Sequence, residues 1–121
     1  MATSGPEIII AGWIDLDPDR LDACVAAITP LQAATRADEP GCVAYVFGPD
    51  PVVPGRIAVY ERWTDADALA AHFQHPNYTG MRDTLYAHGL RQSETLRFRI
   101  DAVASVYDED RVPRPHRWPS D

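Results

Sequence analysis

Residues 56–73 read RIAVYERWTDADALAAHF, and the hydrophobic period changes once within that stretch. From Arg56 to Thr64 the alternation is that of a strand: Ile57, Val59, Glu61 and Trp63 share one face, and Ala58, Tyr60 and Arg62 the other. Thr64 or Asp65 can then accept hydrogen bonds from the first free N–H groups of a helix. That helix carries Leu69, His72 and Phe73 on an inner stripe. Pro76 interrupts the pattern, and residues 77–88 make a further helical segment that Gly89 ends.

Upstream, Glu7 to Asp17 reads as an Ile-rich strand with large apolar groups on both faces, so cover is expected on both. Asp17 or Asp19 can cap the helix that follows, with Pro18 in its opening turn. Leu21, Cys24, Val25, Ile28 and Leu31 form its apolar stripe to about Arg36, with Asp22 and Gln32 toward water. Pro30 is expected to kink or divide that helix near Ile28. After the Glu39-Pro40-Gly41 turn, a second strand runs from Cys42 to Gly48, Val43, Tyr45 and Phe47 alternating against Cys42, Ala44 and Val46. A Pro-rich loop precedes the strand at Arg56, and a long last strand is read from Ser93 to Tyr107.

The order strand, helix, strand, strand, helix, strand predicts an α+β ferredoxin-like split βαβ fold, with both helical regions on one face of a four-stranded antiparallel sheet. Trp13, Tyr45, Tyr60 and Val103 are expected on the opposite face, where a second copy would cover them in a homodimer. The 121 residues fit one domain, read as 7–107, with a flexible N-terminus over 1–6 and an extended or disordered, Pro-containing tail over 108–121.

Eleven Lys and Arg against eighteen Asp and Glu give a net charge of −7, a surface that repels a phosphate backbone, so no nucleic-acid partner is expected. No apolar run approaches a membrane span, and Met1 to Glu7 lacks the pattern of a secretory signal, which points to the cytoplasm and no membrane partner. Cys24 and Cys42 show no metal-ligand spacing, and Cys24 on the helix stripe reads as a buried reduced thiol. No dinucleotide-binding glycine pattern or P-loop is present, so no metal and no cofactor are expected.

The segments Glu39-Pro-Gly-Cys-Val-Ala-Tyr45 and Tyr60-Glu-Arg-Trp63, then His72 and Pro76-Asn-Tyr78, resemble the antibiotic biosynthesis monooxygenase (ABM) family in order and spacing. The stretch from Ile8 to about Tyr107 can be laid on that pattern. The resemblance implies a dimeric α+β barrel. The activities it implies are scattered: cofactor-free oxygenation of polyketide anthrones or quinols, haem degradation and isomerisation of small signalling molecules. Trp63 and Arg82 match a Trp and an Arg with which the quinone-forming branch binds its phenolic substrate, whereas an Asn and a Tyr of that branch are replaced by Val59 and Leu69. In place of the residues of the haem-degrading branch stand Ala11 or Gly12, His72 and Arg82, which disfavours that activity.

The expected function is therefore a cofactor-independent monooxygenase of a small aromatic or polyketide-like phenol or quinol. A small-molecule isomerase and a non-catalytic dimeric ligand-binding module are the alternatives. Glu61 and His72 are expected to meet beneath the second helix, either as a catalytic acid–base pair or as a buried tie between helix and sheet. The substrate pocket is placed between the sheet and the second helical region, walled by Val59, Trp63, Leu69, Phe73 and Tyr78, with Glu61, His72 and Arg82 as polar groups. Tyr78, Arg82 and Tyr86 share a stripe at four-residue spacing, where Arg82 either holds an oxyanion or pairs with a surface carboxylate. His75 is expected to face solvent.

Overall fold

The structure, a computed structural model, describes residues 5–119. The chain forms β1 (Ile8–Asp15), a 3-10 turn (Pro18–Arg20), α1 (Leu21–Asp38), β2 (Cys42–Pro49), β3 (Arg56–Trp63), α2 (Ala66–Phe73), α3 (Pro76–Ala87) and β4 (Gln92–Arg99). The four strands make one antiparallel sheet in the order β2-β3-β1-β4. This is the ferredoxin-like α+β arrangement that the element order predicts.

The core lies between one sheet face and the helices. Ile57, Val59, Glu61 and Trp63 of β3 are all buried there, as the alternation requires, beneath Cys24 and Ile28 of α1 and Leu69 of α2. Cys24 is a free thiol, fully buried. α2 starts at Asp65, whose side chain accepts from the Ala68 N–H at 2.8 Å, and α3 starts at His75, whose Nδ1 accepts from the Asn77 N–H at 3.0 Å. Gly41 has φ +84, and a Cβ there would stand 2.5 Å from the Cβ of Ala68, so only glycine lets the turn after α1 press against α2. The outer sheet face carries paired Arg62 and Glu7, joined by two hydrogen bonds of 2.7 Å, and Arg56 stacked 4.0 Å over the ring of Trp13.

Several local expectations are corrected. Gln32 is buried rather than exposed: its Nε2 donates to the Phe47 carbonyl at 3.0 Å and its Oε1 accepts from the Phe47 N–H at 2.8 Å. One turn later, Arg36 Nε donates to the Tyr45 carbonyl at 2.8 Å. The helix thus takes the place of a missing strand beside the free edge of β2. Pro30 does not divide α1, because it lies on the exposed side where the carbonyl it leaves unpaired can meet water.

Tyr45 is 1% exposed and belongs to the helix-covered face, paired across the sheet with Glu61, so it is no part of the outer patch. A bulge between Cys42 and Ala44 breaks the alternation there, pairing Cys42 with Trp63 and leaving Val43 in solvent. β4 ends at Arg99, opposite Ile8, because β1 offers no further residues to pair with. Val103 consequently lies beyond the sheet.

The tail expected to be extended or disordered carries local order. Tyr107 pairs with Pro113, and the Asp108 carboxylate accepts from the N–H groups of Asp110 and Val112 and from Arg114 Nε. Of the N-terminal segment read as flexible, residues 1–4 lie outside the described residues, as do residues 120 and 121 of the tail. Among the described residues, no helix is long and apolar enough to cross a membrane.

Replacing Gln32 with Leu should leave the N–H and carbonyl of Phe47 buried without partners. At about 1–3 kcal/mol for each such group, chemical denaturation should show a loss of about 2–6 kcal/mol. An unchanged midpoint would contradict the edge clamp.

Candidate functional site

A slot of about 310 Å³ opens between the sheet, the α2–α3 region and the start of β4. Ile10, Ile14 and Val59 line it from the sheet, Phe73 from α2, and Met81 and Leu85 from α3. Its polar groups are Glu61, Arg82, Ser93, Thr95 and the phenols of Tyr45, Tyr78 and Tyr86. Of the residues expected at the pocket, Val59, Glu61, Phe73, Tyr78 and Arg82 are on its wall. Trp63, Leu69 and His72 are buried outside that wall, in the core that supports it.

Glu61 and His72 are not each other's hydrogen-bond partners. Glu61 Oε1 accepts from the indole Nε1–H of Trp63 at 2.9 Å. No described residue donates to its other carboxylate oxygen. Both side chains point inward because their positions in β3 are two residues apart. Burial pushes the Glu61 carboxyl up to about 7; the Trp63 hydrogen bond opposes the rise and the nearby charge of Glu39 adds to it. A carboxyl so placed exchanges its proton near neutrality, as a general base must.

The carboxylate that holds His72 belongs to Glu39, at the end of α1. His72 Nδ1 lies 2.7 Å from Glu39 Oε1, and Glu39 Oε2 accepts from Asn77 Nδ2 at 3.0 Å. Burial lowers the His72 pKa, against the pull of Glu39. Burial thus favours the neutral ring, whose proton is assigned to Nδ1 by the Glu39 acceptor. It lies 4.5 Å from the Trp63 ring and 5.4 and 5.5 Å from those of Tyr45 and Tyr78, centroid to centroid. Burial, reinforced by Glu61 and Glu39, pushes the Tyr45 phenol far above its usual range, so it stays protonated.

Tyr78, Arg82 and Tyr86 line the slot together, as their spacing predicts. The Arg82 guanidinium stands 5.9 Å over the Tyr78 ring and meets exposed Asp83 at 3.3 Å. His75 is half-buried as the α3 cap and lies 3.9 Å from Glu39. Sequence reasoning missed Glu39, Tyr45, Asn77 and Met81. Glu39 and Asn77 both stand in the turn motifs quoted above, where an acid and an amide beside helix breaks were the available signal. Among the described residues, no three His, Cys, Asp or Glu side chains converge as ligands for a metal ion.

The family model of the antibiotic biosynthesis monooxygenases matches residues 8–84. The structure is similar to one from Caulobacter crescentus that carries the same family designation, at 20% identity over 83% of this chain and 92% of that one, with a TM-score of 0.73. A Deinococcus radiodurans structure of that designation matches at 20% identity, 84% and 99% coverage and a TM-score of 0.74. Rv0793 from Mycobacterium tuberculosis matches at 23% identity, 82% and 99% coverage and a TM-score of 0.70. At these identities the likeness is one of fold.

The uncharacterized protein sll1783 of Synechocystis is 32% identical over 71 residues, which make up 59% of this chain and 48% of that protein. The matched stretch spans about half the length of that relative. The family match runs from β1 into α3 and takes in Glu39, Glu61, Trp63, His72 and Arg82. The chain belongs to the antibiotic biosynthesis monooxygenase family.

Proposed function

We propose that this protein is a cofactor-independent monooxygenase of a small phenolic or quinol-like substrate, with Glu61 as the base. The observation that carries this reading is a largely apolar slot into which a buried carboxylate with a pKa of about 7 faces. Oxygenation without a cofactor needs a substrate that can be deprotonated to an electron-rich anion, in a site that excludes water and stabilises developing charge. Glu61 takes the proton, and the aromatic walls from Phe73 and Tyr78 hold a flat ring. For a methylene between two rings, the anion reduces dioxygen. One oxygen atom becomes the new carbonyl, and the other leaves as water with the two methylene hydrogens. Arg82 and the protonated phenol of Tyr45 are the groups on the slot wall that meet the developing negative charge.

His72 acts in this reading through its neighbours: its bond to Glu39 and its stacking on Trp63 fix the indole that positions Glu61. The working form is a homodimer. Val46, Tyr60, Leu96 and Phe98 stand exposed on strands of the sheet, on the face away from the helices, and the same face of a second copy covers them.

With a dihydroxyaromatic or anthrone substrate, the wild-type protein should consume one dioxygen per product. Glu61→Gln should lower turnover by roughly 100-fold or more, the usual scale for a general base. His72→Ala should instead leave Glu39 with a buried charge and lose on the order of 3 kcal/mol of stability. An oxygen electrode and a denaturation curve on both variants read these quantities; full activity in Glu61→Gln ends the reading, and proton exchange without oxygen uptake points to isomerisation.

The Glu61 carboxyl also predicts a pH dependence of stability. Below pH 4.5 it is protonated in both folded and unfolded chains and contributes nothing. Between 4.5 and about 7 only the unfolded chain ionises, so stability falls as pH rises, by about 3 kcal/mol in all for a shift of that size. Glu61→Gln should therefore match wild type near pH 4 and exceed it above pH 7, as read by melting temperature.

Tyr60→Glu places a charge in the proposed sheet-to-sheet interface and should convert a species of twice the chain mass into monomer in sedimentation equilibrium. A wild-type monomer at micromolar concentration would remove the dimer.

A further inference from the structure

β4 is the element that the helices leave open. All eight of its residues are exposed. Ser93, Thr95, Arg97 and Arg99 pair with Ile14, Gly12, Ile10 and Ile8 of β1 and so lie on the slot side of the sheet. Arg56, Arg62, Arg82, Arg91 and Arg114 each face a carboxylate within 4 Å; Arg97 and Arg99 are among the described arginines that do not. A chain of net charge −7 has acidic groups in surplus, yet two guanidinium groups are left uncompensated on this strand.

Arg97 belongs to a second cavity, lined by Ile10, Phe73, Thr95, Leu96 and Arg97. That cavity adjoins the slot, with Ile10, Phe73 and Thr95 lining both. Glu61 lies in the slot and Arg97 in the adjoining cavity. An anionic group on a ligand is repelled by ionised Glu61 and attracted by Arg97, whose planar fork matches a carboxylate. The two adjoining cavities therefore have a polarity: acid-accepting at Glu61, anion-accepting at Arg97.

We propose that Arg97 forms an anion-binding subsite beside the slot, and that the substrate is an aromatic compound bearing a carboxylate distal to the hydroxyl or C–H group that meets Glu61. This rests on the reading of the slot as the substrate site. Two probes of one ring size separate the terms: 2-naphthol, which has the hydroxyl alone, and 6-hydroxy-2-naphthoate, which has a carboxylate at the opposite end.

Isothermal titration of the full-length protein at low salt should show the acid binding about tenfold more tightly than the naphthol, the scale of one partly exposed charge-assisted contact. Arg97→Gln should bring the two dissociation constants within about twofold of each other. Arg111→Gln, which changes the net charge equally in the tail, should keep the tenfold ratio. Equal affinities in wild type, or a ratio that survives Arg97→Gln, would overturn the subsite while leaving the slot as a ligand site. Binding of neither probe would overturn both.

Discussion

One buried negative charge holds the helical layer together. Glu39 ends α1, and its carboxylate receives the Nδ1–H of His72 from α2 and the amide of Asn77 from α3. A carboxylate taken out of water is tolerable only when donors surround it, so the ends of three helices are fixed by the requirement of a single side chain. The consequence reaches the slot. His72, oriented by Glu39, stacks on Trp63; Trp63 holds Glu61; and the charge of Glu39 makes ionisation of Glu61 harder.

Two buried glutamates thus differ through their surroundings alone. Glu39 has donors on both oxygens, whereas Glu61 has one donor, from an indole, and faces a largely apolar cavity. In the proposed reading His72, the obvious candidate for proton transfer in the sequence, serves as support: it is walled in by aromatic rings and its Nδ1 is committed to Glu39.

The strands, the helices and a third of the slot wall were legible because their periods are regular: β3 alternates without fault, and Tyr78, Arg82 and Tyr86 keep a four-residue stripe. The misreadings have specific causes. Gln32 looks like a water-facing position because nothing local reveals that an unpaired strand edge will lie against it. Tyr45 appears on the outer patch because the bulge at Val43 resets the alternation. Glu61 and His72 were paired because each faces inward, but facing inward does not specify which of two carboxylates is closer. That depends on where the Glu39 turn folds back, a contact across thirty-three residues. The length of β4 was set by β1 rather than by its own alternation.

The clamp of α1 on β2 has a consequence for assembly. The Tyr45 carbonyl and the N–H and carbonyl of Phe47, which another strand would use, are already taken by Arg36 and Gln32. The other edge of the sheet, β4, has no such cover. A sheet with one sealed border and one open border can be joined by a neighbouring chain on a single side. Edge-to-edge growth would then stop at the first partner, so the molecule is protected against fibrous polymerisation by a glutamine and an arginine one helical turn apart.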